Sequence, residues 1–146
     1  MTRERLYDAY INEVAFFNPE LRVAEERGLL LKAKDIESFT DTKWIDIYYG
    51  PEIVGFMIVA NGSHCPIDAD YLVMELFVHA DYRRKHLAFD TVKGYFNKHH
   101  GRAGLYLISK NAHALMFWED VKKKLNLKTI KNEKASPFCD YHLFVV

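Results

Sequence analysis

Apolar positions recur along this chain with two different periods. Over residues 3–17, Leu6, Tyr10, Val14 and Phe17 fall at helical spacing, which predicts an amphipathic helix. Asn18-Pro19 stops it and starts another, with Asn as cap and Pro in the first turn, and Gly28 closes that second helix. Residues 29–42 fit either extended chain or further helix. Residues 43–49 and 52–60 are rich in Ile, Val, Tyr and Trp around Gly50-Pro51, which predicts an antiparallel hairpin. A turn-rich loop, NGSHCPID, follows at 61–68. A strand over 70–79 leads into a helix from about residue 83 to 100, with Ala88, Val92 and Tyr95 on one face. Next come a short strand at 104–109 and a helix capped by Asn111 that turns Ala114, Phe117, Trp118, Val121 and Leu125 inward. Strands over 127–131 and 138–146 end the chain. This order describes one α/β or α+β domain over residues 1–146, a mixed sheet covered by helices.

Composition narrows the partners. Twenty basic and twenty acidic side chains leave no formal net charge, which argues against nucleic acid or an anionic membrane. Cys65 and Cys139 lie far apart without paired spacing, as in an intracellular chain with reduced thiols. The start, MTRERLYDAY, lacks the apolar core of a signal peptide, and no apolar stretch approaches the ~18 residues needed to cross a bilayer. A cytoplasmic protein is expected. None of the seven histidines forms the paired ligand spacing of a structural zinc site, so no metal is expected.

The most informative stretch is Asp70–Ala88, DYLVMELFVHADYRRKHLA. A nearly unbroken apolar run, Tyr71–Val78, contains one carboxylate, Glu75, and ends at the triple-basic step Arg83-Arg84-Lys85. Amides at a helix start favour an anion, whereas cations there oppose the helix dipole. Three cations in a row therefore imply a bound anion. Lys122–Lys124, at a helix C-terminus, suit the dipole and imply none. Met57, Met74 and Met116 read as core.

Two segments resemble the GNAT superfamily of acyl-CoA-dependent N-acyltransferases. Arg83-Arg84-Lys85-His86-Leu87-Ala88, after ELFVHADY, is similar to that family's (Arg/Gln)-x-x-Gly-x-(Gly/Ala) step at a helix start. Asn111-Ala112-His113-Ala114-Leu115-Met116-Phe117-Trp118 is similar to its second motif, Asn-x-x-Ala followed by aromatics. The likeness covers roughly residues 43–146. It implies a mixed, mostly antiparallel sheet flanked by helices, and transfer of an acetyl group from acetyl-CoA to a primary amine. It further implies that Arg83, Arg84, Lys85, His86, Leu87 and Ala88 hold the pyrophosphate. Phe77, Val78 and His79 would line the pantetheine arm, and Asn111 and Phe117 the far side of the cofactor. Three departures stand out: His86 replaces Gly, Trp118 replaces a frequent Tyr that protonates the departing thiolate, and the chain begins in a helix where the family has a strand.

A lysine-type amine, with a pKa near ~10.4, must lose a proton before it attacks. Glu75 is the candidate base or amine grip, because a lone carboxylate in a buried strand is costly unless paired or functional. By alternation it shares a face with Phe77 and His79. The plainer reading makes it structural, paired to a helix. His79, whose ordinary pKa lies near neutral, is the alternative base, though a histidine at a strand end is more often solvated. His113 reads as an exposed first-turn residue. Tyr106 and Tyr82 are the phenols available for the thiolate. His86 and Trp118 also favour a second reading, a catalytically weak or inactive module that still binds the coenzyme. The acceptor stays open among polyamines, aminoglycosides, amino acids and protein amines. A homodimer is conceivable if the last strand, FCDYHLFVV, pairs across a two-fold axis.

Overall fold

The computed structural model describes residues 1–28 and 30–146. Three helices precede the first strand: α1 (Arg3–Ala15), α2 (Pro19–Glu26) and α3 (Ala33–Glu37). Thr2 caps α1 through its side chain, which accepts from the Arg5 amide (3.2 Å). Asn18 does the same for α2, accepting from the Glu20 amide (3.0 Å). Gly28 follows α2 in the left-handed region (φ 67°). The segment left open at 29–42 contains α3 and a turn into the sheet; its first residue, Leu29, lies outside the described residues.

Six strands form one sheet: β1 (Thr42–Tyr49), β2 (Glu52–Ala60), β3 (Tyr71–Val78), β4 (Arg102–Ile108), β5 (Lys128–Lys134) and β6 (Cys139–Val145), in the order β1-β2-β3-β4-β6-β5. All neighbours are antiparallel except β3 and β4. Helices α4 (Leu87–Lys98) and α5 (Ala112–Lys124) make the two crossovers beside β4. The architecture is thus a mixed, mostly antiparallel sheet with helices on both faces.

Each face carries its own core. On one, Leu6 and Tyr7 of α1 with Ile36 of α3 pack on Phe56, Ile58 and Phe77. On the other, Val92 and Phe96 of α4 with Trp118 and Val121 of α5 pack on Tyr71, Val73, Leu105 and Phe144. Burying these apolar faces on both sides, at roughly 25 cal/mol per Å², is what holds the layers together.

Three expectations change. The helix after β3 starts at Leu87, not near residue 83, because Arg84 and His86 both hold φ 61°, which no right-handed helix accommodates. Strand β6 lies between β4 and β5, bonded along both edges, so it has no free edge for pairing across a two-fold axis. Met116 is 69% exposed rather than core, since it lies on the outer face of α5. Lys122, at the α5 C-terminus as expected, is also buried: its ammonium meets His142 Nδ1 (3.2 Å) and lies over the Phe144 ring. Among the described residues no helix is long and apolar enough to cross a membrane.

Candidate active site

β3 and β4 pair only at their starts, Tyr71–Val73 against Ala103–Leu105. From Met74 onward the two strands separate, leaving the β4-facing backbone edge of β3 without a strand partner. A bulge sharpens this geometry. The β2–β3 register shifts between Ile58 and Val59, so Met74 has no partner. Tyr71 and Val73 therefore face the α4–α5 core, while Glu75 and Phe77 turn to the α1 side. Strict alternation through Met74 would have put Glu75 on the face of Val73.

A cavity of about 90 Å³ occupies the gap. Tyr10 of α1, Glu75 of β3, Tyr106 and Leu107 of β4, and Asn111 and Trp118 at α5 line it. Part of the Glu75 side chain opens into this space, yet the surroundings are apolar enough that desolvation pushes its pKa up to about 8. Among the described residues one hydrogen bond reaches it: the Tyr10 phenol donates to Glu75 Oε2. That ring stands edge-on to Phe56 (5.7 Å) and Phe77 (5.6 Å). A carboxyl group with a pKa near that of ordinary buffers, facing an enclosed space, can take a proton from an amine.

The turn after β3 lies at the open end of the gap. Arg84 and His86 adopt φ 61° on either side of Lys85, and α4 begins at the next residue. His86 sets no side-chain acceptor on the first-turn amides of α4, which leaves them without a capping side chain. The three cations diverge. Arg83 turns back toward α1: its Nε donates to the Val78 carbonyl (2.9 Å), Nη2 to Glu13 (2.5 Å), and the guanidinium covers the Phe77 ring. The Lys85 ammonium sits over the Tyr49 ring (5.0 Å), and Arg84 is exposed.

The remaining predicted residues divide. Asn111 lines the cavity and caps α5, its Oδ1 accepting from the Ala114 amide (3.1 Å). Phe77 is buried beneath Tyr10 and Arg83, whereas Val78 packs on the opposite face with Ile47 and Val54. His79 lies outside the cavity lining; its Nδ1 accepts from the Asp81 amide (3.2 Å) at the single helical turn 80–82. Phe117 packs edge-on to Trp118 (5.3 Å) rather than lining the cavity. Leu87 and Ala88 cover the small core around Val54. Of the two phenols considered for the thiolate, Tyr106 lines the cavity, while Tyr82 donates to Glu52 (3.3 Å). Helical spacing alone makes Tyr10 an ordinary core position. Its phenol is the one signal to the contrary, since a buried tyrosine needs a polar partner. Among the described residues no three His, Cys, Asp or Glu side chains gather as metal ligands would.

This fold is shared with solved structures of acetyltransferases, one of them assigned to the GNAT family. An acetyltransferase from Thermus thermophilus superposes with a TM-score of 0.62 at 14% identity, over 77% of this chain and 70% of that one. A protein from Desulfovibrio desulfuricans assigned to the GNAT acetyltransferases matches over 94% of this chain and 87% of its own, with a TM-score of 0.57 and 13% identity. An N-acetyltransferase from Staphylococcus aureus gives 0.52 at 15% identity, over 70% and 69%. No family model and no curated protein matches the sequence.

Proposed function

We propose that the protein transfers an acetyl group from acetyl-CoA to a primary amine by direct attack. The observation that carries this reading is Glu75, set by the Met74 bulge into the gap between β3 and β4 with its pKa pushed up to about 8. The unpaired edge of β3 suits the amide groups of a pantetheine arm. The turn 83–88, with first-turn amides of α4 and the exposed Arg84, suits a pyrophosphate. Glu75 would take the amine proton as nitrogen attacks the thioester carbon, and the C–S bond would then break to release the coenzyme as a thiolate that takes its proton from water. Asn111 at the cap of α5 would border the cofactor opposite β3.

A second reading keeps the coenzyme and drops the reaction. Trp118 lines the cavity, and its indole N–H is no usable acid near neutral pH. Calorimetric titration with acetyl-CoA at low salt, followed by assays for free thiol against a panel of primary amines, separates the two. Binding with turnover supports the transferase, and binding without turnover the second reading. No binding at hundreds of micromolar removes both.

A further inference from the structure

Glu75 is not alone in its cavity, and the residue that meets it comes from a distant part of the chain. Tyr10 stands on α1, 65 residues earlier, and its phenol donates to Oε2. The ring cannot swing freely: Tyr7 (5.9 Å), Phe56 (5.7 Å) and Phe77 (5.6 Å) surround it. The helix beneath it is fastened as well. Arg3, at its start, forms two bonds to Asp46 (2.8 and 3.0 Å), and Glu13, near its end, pairs with Arg83. A phenol fixed in this way leaves the carboxyl group one oxygen, Oε1, for anything that enters the cavity.

We propose that Tyr10 is a positioning residue for Glu75: its hydrogen bond holds Oε2, favours the charged carboxylate and presents Oε1 to the acceptor amine. The catalytic part rests on the acetyl-transfer reading above; the coupling between the two side chains does not. The physical reason is the shortage of other help. Among the described residues, the titratable groups packed around Glu75 are Tyr7 and Tyr10 from α1 and Tyr106 from β4, all phenols, which bring no positive charge. The Arg83 guanidinium, over Phe77, is paired with Glu13. Desolvation therefore pushes Glu75 toward its protonated form, in which it is useless as a base, and a hydrogen bond donated to the carboxylate, as Tyr10 supplies, acts the other way. In the step that involves Glu75 only a proton changes place: the amine proton moves to Oε1, and Tyr10 keeps its own.

The test compares wild type with Tyr10→Phe, using Tyr7→Phe as a control for aromatic packing. The Glu75 carboxyl carbon is titrated by NMR in the ligand-free protein, with Glu75→Gln assigning its signal. Loss of the phenol should raise the titration midpoint by about one pH unit, whereas Tyr7→Phe leaves it in place. Coincident midpoints for wild type and Tyr10→Phe overturn the proposal. With acetyl-CoA and a primary diamine, Tyr10→Phe should lose about tenfold in kcat/KM at pH 7 and recover most of it by about pH 9.5. A loss equal at both pH values also overturns it, because misfolding is not repaired by alkali. Should wild type show no turnover while the midpoint still moves, the acetyl-transfer reading and the catalytic role fail and the coupling stands.

Discussion

Arg84 and His86 hold the same left-handed backbone, φ 61° at each, on either side of Lys85. A side chain bearing a Cβ carries a cost of roughly 1–2 kcal/mol in that region, which Gly avoids. His86→Gly should therefore stabilise the fold by about 1 kcal/mol, offset in part by the greater freedom of the unfolded chain. Chemical denaturation of the pair measures it. Acetyl-CoA binding should be retained or tightened, since the backbone the pyrophosphate would meet keeps its preferred shape. A lower denaturation midpoint for the variant would mean that the imidazole makes contacts worth more than the strain.

Arg83 is the cation committed elsewhere. Its partner Glu13 is well exposed, and exposed pairs contribute little, on the order of 0–1 kcal/mol. Glu13→Gln should leave thermal stability nearly unchanged. It also removes a carboxylate that competes for the guanidinium beside a turn expected to bind a diphosphate. Acetyl-CoA affinity should rise a few-fold at low salt, with the gain fading as salt screens it. Unchanged affinity across salt concentrations would show that Arg83 contributes nothing to the anion.

These two cases mark where the sequence was readable. Strands, hairpin and helices were legible because Val, Ile and Tyr runs alternate with amphipathic stretches, and Gly28 and Gly50 punctuate them. Glu75 was legible as a charge in an apolar strand. The α4 start was not, because Arg, Lys and His hide a backbone that glycine would have announced. Nor was the Met74 bulge, which arises from register with β2, a non-local property. Tyr10 was missed for the same reason: its partner is 65 residues away. His79 looked like part of the site from alternation, from its imidazole and from the family resemblance, whereas the strand ends at Val78 and its Nδ1 accepts from the Asp81 amide in the turn.

Glu75→Gln should separate function from stability. Its pKa in the folded protein is about 8, above the ordinary 4.5, so the protonated form is the one folding favours. For a carboxyl group raised in this way, stability is fully present below about pH 4.5 and falls as pH rises through about 8. Gln mimics the protonated form at every pH. The variant should match wild type near pH 4.5 and melt several degrees higher at pH 8. If Glu75 is the base, turnover near neutral pH should drop at least tenfold. Equal melting temperatures at pH 8 would show that the carboxyl is hydrated enough to ionise freely. An unchanged pH–rate profile would remove its role as base.

Lys122 and His142 form a second buried polar pair, away from the cavity. His142 is 1% exposed, and its Nδ1 meets the Lys122 ammonium at 3.2 Å, with Glu119 3.5 Å from that ammonium. Desolvation, then the adjacent cation, holds the imidazole pKa below its usual value. For a histidine lowered on folding, stability is present above the unfolded pKa near 6.5 and lost as pH falls below it. Lys122→Met keeps an unbranched stem against Phe144 while removing the like charge and its desolvation cost. The variant should be at least as stable as wild type at pH 7.5 and lose less stability between pH 7 and 5. Thermal melts across that range read the slope directly. A steeper slope in the variant would show that removing the ammonium lowers the imidazole pKa further, so that the cation is not what holds it down.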